Sequence, residues 1–171
     1  MIEISTTKKA RQLVTCFAYA LALLVSGCAT AAQLVDHAFA FDMRVDDQDA
    51  VVIDYRYGES KTPTASNPEH RRIEGKSLQF THVRGEMPVG TFIYVKWRSK
   101  STGEIFERTV DLTKGMPSDI KNQTVYFMVR GAQLYVLLID PEKRSDATTL
   151  IAPRKYQGLK TVILYPDNSS K

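Results

Sequence analysis

Metal-binding or nucleophilic chemistry in this 171-residue chain would depend first on its three histidines, His37, His70 and His82. Zinc sites place histidines at short spacing, as in H-x-H or H-E-x-x-H, and complete the shell with cysteine or carboxylate ligands. None of the three histidines has another histidine within that spacing. We therefore interpret them as ordinary surface or loop histidines, and we predict no metal site and no cofactor.

The segment Asp46-Asp47-Gln48-Asp49 concentrates three carboxylates in four residues. A calcium loop needs spaced oxygen ligands and a glycine at its sharp turn, and this segment has neither. Four polar residues directly before an apolar stretch are typical of a turn that leads into a strand. The sequence also contains no G-x-S-x-G, P-loop or G-x-G-x-x-G motif.

Three further carboxylates, Glu104, Glu107 and Asp111, lie in one short stretch. Paired carboxylates can act as general acid and base. Here cations lie on the neighbouring predicted strand, which is the pattern of a solvated sheet face. We therefore expect no catalytic residue and a protein that is not an enzyme.

The N-terminal segment has the three parts of a secretory signal. A basic start precedes a mainly apolar run at residues 13–25, and small residues follow it. The run is too short to span a bilayer. The residues Val25-Ser26-Gly27-Cys28 resemble the lipobox of bacterial lipoproteins. An ordinary signal peptide, cut at Ala29-Thr30-Ala31, is the alternative interpretation.

The lipobox resemblance implies that the Cys28 thiol is acylated, that residues 1–27 are removed, and that the new N-terminus is acylated too. Several acyl chains anchor a protein durably, since each buried methylene contributes about 0.8 kcal/mol. Cys16 would leave with the signal, so Cys28 would lack a disulfide partner. Ala29, where aspartate would retain a lipoprotein in the inner membrane, implies the outer membrane. We expect a membrane anchor at Cys28 and a body that faces the periplasm.

Removal of residues 1–27 would leave 20 of 23 basic and 18 of 19 acidic residues, so the net charge falls from +4 to +2. The remaining cations are interleaved with acids, whereas nucleic-acid-binding proteins carry basic stripes. We expect no nucleic-acid partner. The mature chain is long enough for one hydrophobic core and too short for two. We predict a tether at residues 28–37 and one domain at residues 38–171.

Apolar residues recur with a period of two beyond residue 40, which indicates strands. In the first clear strand, one face would carry Val51, Ile53, Tyr55 and Tyr57. In the next, Ile93, Val95 and Trp97 alternate with Tyr94, Lys96 and Arg98. Residues 104–112 then run back as the second strand of a hairpin.

A two-residue turn at Thr102-Gly103 would set the register of this hairpin. It places Val95 opposite Val110, so that apolar pairs meet apolar pairs. Arg108 falls among apolar residues of its strand. In this register it would oppose Trp97 and stack on the indole, unless a bulge turns it outward.

Residues 125–130 and 134–139 form a second predicted hairpin around Gly131-Ala132. Residues 134–139 are almost wholly apolar, as in a strand buried on both faces. Further strands are predicted at residues 39–45, 78–83 and 161–165, and a long exposed loop at residues 58–72. We therefore predict an all-β domain of about seven strands, either a single antiparallel β-sandwich or a small barrel.

Tyrosine and arginine on the predicted outward faces are the candidates for a binding surface, because both are enriched at binding hot spots. One group is Tyr94, Lys96 and Arg98, and the other is Tyr126, Met128 and Arg130. A plain solvated sheet face is the alternative interpretation of both groups.

The body is similar to small β-rich lipoproteins of proteobacteria, in segments such as Asp54-Tyr55-Arg56-Tyr57-Gly58 and residues 88–97. We expect a non-enzymatic binding lipoprotein with a protein partner. A specific form of this hypothesis is an immunity-type protein against a periplasmic toxin. The alternative is a structural or assembly accessory of an envelope or secretion machine.

Overall fold

Eight strands form most of the described part of the chain, which covers residues 34–68, 78–145 and 151–166 of the computed structural model. They are β1 Leu34–Asp42, β2 Ala50–Tyr57, β3 Phe80–Pro88, β4 Phe92–Ser99, β5 Ile105–Asp111, β6 Thr124–Arg130, β7 Gln133–Arg144 and β8 Leu159–Tyr165. A short helix, α1 at Met43–Asp46, follows β1, and a 3₁₀ turn at Arg154–Tyr156 precedes β8. The predicted all-β class is confirmed.

The strands form two sheets that pack together without closing into a barrel, so the sandwich alternative is correct. The larger sheet has the order β3-β1-β6-β7-β8, and the smaller has the order β2-β4-β5. Neighbouring strands are antiparallel except for β1 and β6, which run parallel. The order leaves β4 as the central strand of the smaller sheet.

Aromatic side chains from both sheets fill the space between them. Phe39 and Phe41 of β1 meet Tyr57 and Tyr55 of β2, with ring centroids 4.9 Å apart in each pair. The ring centroid of Phe127, in β6, lies 4.4 Å from that of Phe41. Such pairs stabilise a core by about 0.5–1.5 kcal/mol each beyond the burial of their area.

A bulge in β2 interrupts the strict alternation that the sequence predicted for this strand. The register with β4 shifts between Val52 and Asp54, so one extra residue is accommodated there. Val52 is consequently buried together with Tyr55, whereas Val51 and Ile53 are only half-buried. The prediction that Val51 and Ile53 share the face of Tyr55 is therefore wrong.

The register predicted for the β4–β5 hairpin is wrong by two residues. Val95 pairs with Arg108, because four residues rather than two form the turn. The Ser99 N–H donates to the Glu104 carbonyl at 3.0 Å, and Gly103 has φ +74°. A shift of two residues keeps every side chain on its predicted face.

Two consequences of that register concern single residues. Trp97 pairs with Phe106, with ring centroids 5.5 Å apart, so the predicted stacking of Arg108 on Trp97 does not occur. Arg108 is exposed without a bulge, because β5 is an edge strand of its sheet.

The second hairpin has its predicted turn, since Arg130 pairs with Gln133 across Gly131-Ala132. Strand β1 begins at Leu34, four residues before the domain boundary predicted at residue 38. The predicted tether, residues 28–37, therefore overlaps the start of this strand. Residues 28–33 of that tether lie outside the described residues.

Candidate functional site

Strand β4 presents the first predicted group of binding residues on one face. Ile93, Val95 and Trp97 are 0% exposed and point into the core. Their neighbours on the opposite face are Tyr94, Lys96 and Arg98, of which the first two are half-buried and the last is exposed. The predicted separation of inward and outward residues in β4 is confirmed.

Strands β2 and β5 add polar side chains on either side of this group. The register places Lys96 between Asp54 and Glu107, and Tyr94 between Arg56 and Thr109. We call this surface the Tyr94 face and define it by Asp54, Arg56, Tyr94, Lys96, Arg98 and Glu107. It carries both signs of charge and one aromatic ring on a continuous sheet.

Lys96 and Glu107 form an ion pair within the Tyr94 face. Lys96 Nζ lies 3.4 Å from Glu107 Oε2, and both side chains are more than one third exposed. Exposed pairs of this kind contribute about 0–1 kcal/mol, since solvent screens them. Lys96 and Glu107 can therefore give up this ion pair to contact a binding partner, at little cost to the free energy of folding.

Tyr94 keeps its phenolic proton under all physiological conditions. Burial raises its pKa to about 12, and the hydrogen bond and charge of Glu107 and the charge of Asp54 act in the same direction. The Tyr94 hydroxyl therefore stays a hydrogen-bond donor, and Glu107 is its partner within the fold.

A polar groove of about 140 Å³ adjoins the Tyr94 face, and we call it the Asn67 groove. Its lining residues are Asp54, Tyr55, Arg56, Ser66, Asn67 and Tyr94. One wall is a loop that pairs with the outer edge of β2: the Asn67 N–H donates to the Tyr55 carbonyl at 2.9 Å, and Arg56 and Ser66 form an isolated bridge.

Side chains fix that loop against the core. The Tyr55 hydroxyl and the Thr81 hydroxyl both donate to the Thr64 carbonyl, at 3.1 and 3.2 Å. Asn67 Nδ2 donates to the Ile53 carbonyl at 2.9 Å. The groove wall is thus held from β2 and from β3.

The second predicted group does not form an exposed surface. Tyr126 is 2% exposed, because β6 lies between β1 and β7 and is covered on both faces. Its hydroxyl donates to Asp46 at 2.6 Å, and its ring lies 5.5 Å from that of Tyr156. Tyr126 therefore lies on the outer side of the sheet, as predicted, but it is buried there and cannot form part of a binding surface.

The remaining members of that group differ from each other. Met128 is 1% exposed, so it is buried like Tyr126 and its predicted exposure is wrong. Arg130 is exposed, as predicted, with its guanidinium 6.0 Å from the centroid of the Tyr135 ring. It lies in the larger sheet and is therefore not part of the Tyr94 face.

The acidic segment at residues 46–49 begins at the last residue of α1 and continues as the predicted turn into β2, and its carboxylates join it to other elements. Asp46 accepts from Tyr126 and from the Arg154 N–H at 3.2 Å. Asp49 accepts from the Ser99 hydroxyl at 2.7 Å and the Ser101 N–H at 2.8 Å. Burial raises the pKa of Asp46, whereas the Ser99 hydroxyl lowers that of Asp49.

His37 is 0% exposed, so its interpretation as a surface or loop histidine is wrong. Its Nδ1 lies 2.8 Å from the Val35 carbonyl, which can only accept. The Nδ1 therefore carries the proton, and Nε2 accepts from the Tyr57 hydroxyl at 3.1 Å. His82 is exposed, and His70 lies outside the described residues.

Among the described residues, no group of three or more His, Cys, Asp or Glu side chains is placed to hold a metal ion. Glu104, Glu107 and Asp111 are all exposed, as expected of a solvated face. Cys28 lies outside the described residues. No helix within the described ranges has the length and apolar character needed to cross a membrane.

Sequence reasoning missed Ser66 and Asn67. Both residues lie within the long polar loop predicted at residues 58–72. A loop sequence, however, does not reveal which of its residues pair with a strand edge. Comparisons with protein-family models, with curated proteins and with solved structures found no match.

Proposed function

We propose that this protein is a membrane-anchored, periplasm-facing lipoprotein that binds another protein through the Tyr94 face. The observation that carries the proposal is the grouping of Tyr94, Lys96 and Arg98 on the outer side of a strand whose inner side is core. Tyrosine and arginine are the residue types that dominate binding hot spots. A sheet also holds them in place before binding, which lowers the entropy cost of association.

The states of Tyr94, on this face, and of His37, in the core, support binding without catalysis. A general acid or base works best with a pKa near the working pH. The pKa of Tyr94 is about 12, far from that range. His37 is buried, and both of its ring nitrogens already have hydrogen-bond partners.

The resemblance of Val25-Ser26-Gly27-Cys28 to a lipobox supports the anchor and the outer-membrane location. An immunity-type protein, which blocks a toxin delivered to the periplasm, is the specific form of binding that we propose. An accessory of an envelope or secretion machine is the second candidate, and the identity of the partner separates the two.

The binding proposal is tested by photo-crosslinking in living cells of the native host. A photoreactive amino acid replaces Lys96 on the Tyr94 face or, as a matched control, Lys160, which is exposed on β8 of the other sheet. We expect one defined adduct from position 96 and none from position 160. A toxin in that adduct supports the immunity role, and a secretion-machine subunit supports the accessory role.

Adducts of equal yield from both positions, or none from either, would contradict binding through the Tyr94 face. The anchor is tested separately with Cys28→Ser. This variant should lose the acyl label and leave the membrane fraction. Unmodified protein that is soluble in the periplasm and begins at Ala32 would show an ordinary signal peptide instead.

A further inference from the structure

Strand β3 is an edge of the larger sheet, since within the described part of the chain only β1 pairs with it. The Met43 N–H donates to the Gln79 carbonyl at 2.8 Å, so the backbone of Gln79 faces β1. In an antiparallel pair, successive residues point their N–H and C=O groups to alternate sides. The residues whose backbone groups point away from β1 are therefore Phe80, His82, Arg84 and Glu86. Such groups can pair with a strand of another chain.

The outer side of β3 carries charges of both signs. Arg84 and Glu86 are exposed and lie two residues apart, on the same side of the strand. Glu86 is directly opposite Asp36 of β1, and like charges in such a pair destabilise a sheet. Arg84 has its Nε 3.7 Å from Asp36 Oδ1 and donates from Nη2 to Asn122 at 2.7 Å. Among the described residues, Glu86 has no cation as an ion-pair partner.

A second copy of β3 would meet this edge with complementary charges. If two β3 strands run antiparallel about a two-fold axis at Gly85, Arg84 of each copy lies opposite Glu86 of the other. The same register places Val83 opposite Met87 on the inner side. Opposite charges and apolar residues therefore meet in one symmetric arrangement, in which the same surface is used by both copies.

Gly85 suits the centre of such a pair. It has φ +151°, a conformation that favours glycine, and a Cβ built on it would meet no atom of the described residues within 4 Å. Its own N–H and C=O face β1, so it would form a non-hydrogen-bonded pair with Gly85 of the second copy. The two Cα atoms in such a pair approach to about 4.5 Å. Glycine inside a strand often marks a close approach of another backbone.

The open edge of the smaller sheet has the opposite property. In a two-fold pair of β5 strands, a centre at Glu107 or Arg108 brings two identical charges together. A centre at Thr109 brings Glu107 opposite Asp111. Like charges oppose each of these registers. The charge pattern therefore favours self-pairing at β3 and disfavours it at β5.

We propose that two copies of this chain pair through β3, with the two-fold axis at Gly85 and reciprocal contacts between Arg84 and Glu86. This pairing joins two five-stranded sheets into one continuous sheet. It goes beyond the proposed function, because the Tyr94 face lies on the smaller sheet and stays open in the dimer. The dimer and the binding of a protein partner can therefore be confirmed or overturned separately.

Sedimentation equilibrium of the purified full-length chain, in a neutral density-matched detergent, measures the pairing. We expect the wild type to change from monomer to dimer between about 1 μM and about 1 mM, the range of a small interface. Arg84→Glu places glutamate opposite glutamate, and Glu86→Arg places arginine opposite arginine, so each variant alone should stay monomeric. Mixed in equal amounts, the two variants should form a heterodimer, because each supplies the charge that the other lacks.

The mixture separates a lost interface from a damaged fold, since a misfolded variant would not regain pairing on mixing. Glu104→Arg makes the same charge change at an exposed residue of the β4–β5 turn, and this control should dimerise as the wild type does. A wild type that stays monomeric at about 1 mM would overturn the proposal. A mixture that stays as monomeric as its components would do so too, as would a single variant that dimerises as tightly as the wild type.

Discussion

Trp97 joins the two sheets through a single side chain. Its ring is 0% exposed, and its Nε1–H donates to the carbonyl of Gly131 in the β6–β7 turn at 2.9 Å. The same turn donates its Gly131 N–H to Asp47 at 3.4 Å. The inner side of β4 therefore fixes the larger sheet, while its outer side carries the Tyr94 face.

Trp97→Ala should lower the free energy of unfolding by about 3–5 kcal/mol, because it removes a fully buried ring and leaves a cavity. Lys96→Ala, one residue away on the outer face, should change it by no more than about 0.5 kcal/mol. Urea unfolding of both variants measures the difference. Comparable losses would mean that β4 is buried on both faces.

His37 makes stability depend on pH in a defined direction. Burial lowers its pKa from 6.5, and the hydrogen bond to Val35 and the charge of Asp36 offset this only in part. The unfolded chain therefore takes up a proton at higher pH than the fold does. The stability that neutral His37 contributes is present above about pH 6.5 and is lost as the pH falls through the folded pKa.

Unfolding free energies measured between about pH 7.5 and 5.5 should therefore decrease on acidification, with a slope below about 1.4 kcal/mol per pH unit for one histidine. His37→Gln should flatten this slope. His82→Gln is the matched control: burial also lowers the pKa of His82, but that side chain is exposed, so its effect should be smaller. An unchanged slope in His37→Gln would contradict the assignment.

At the scale of elements, alternation predicted β4 correctly and β2 incorrectly. Ile93, Val95 and Trp97 follow a strict period of two, and all three are core. In β2 the bulge at residues 52–54 changes which residues point inward. The sequence does not indicate the bulge, because apolar residues lie on both sides of it. The wrong register of the β4–β5 hairpin has a similar cause, since the turn has four residues rather than the assumed two.

Burial of the outer side of a sheet by other elements was the second feature that the sequence did not predict. Tyr94 and Tyr126 occupy similar alternating patterns, yet one is half-buried on an outer face and the other is 2% exposed. The difference arises because the end of α1 and the 3₁₀ turn at Arg154–Tyr156 cover the outer side of β6, where Tyr126 bonds to Asp46 and packs against the Tyr156 ring. These are non-local contacts that no local pattern encodes. Tyr126 and Met128 are absent from the binding surface for this reason.

The connection between β3 and β4 packs so closely at Gly90 that an added methyl group has no room. A Cβ at Gly90 would lie 2.5 Å from Cε2 of Tyr57, and Tyr57 is held by stacking on Phe39 and by its bond to His37. Gly90→Ala should therefore cost about 1–3 kcal/mol through overpacking. Gly115→Ala, whose Cβ would lie 3.8 Å from its nearest neighbour, should cost much less.

Thermal unfolding of the two glycine variants distinguishes these cases. A larger loss of stability for Gly115→Ala than for Gly90→Ala would show that the core around Gly90 and Tyr57 adapts more easily than its packing indicates.

At the scale of the whole molecule, the two sheets have different roles. The larger sheet is tied on its outer side by the Tyr126–Asp46 bond and by the Arg154 N–H, which also binds Asp46. The smaller sheet buries one side against the aromatic core and leaves the Tyr94 face and the Asn67 groove open to solvent. This asymmetry makes the smaller sheet the binding side in our account.

The central claim is that the Tyr94 face holds a protein partner, and dissociation kinetics test it most directly. With the partner identified by crosslinking, we compare the wild type, the double variant Tyr94→Ala/Arg98→Ala, and Arg130→Ala as a control on the other sheet. The double variant should dissociate at least about tenfold faster, since aromatic and arginine anchors act mainly on the dissociation rate. Unchanged dissociation of the double variant, together with faster dissociation of Arg130→Ala, would contradict the account.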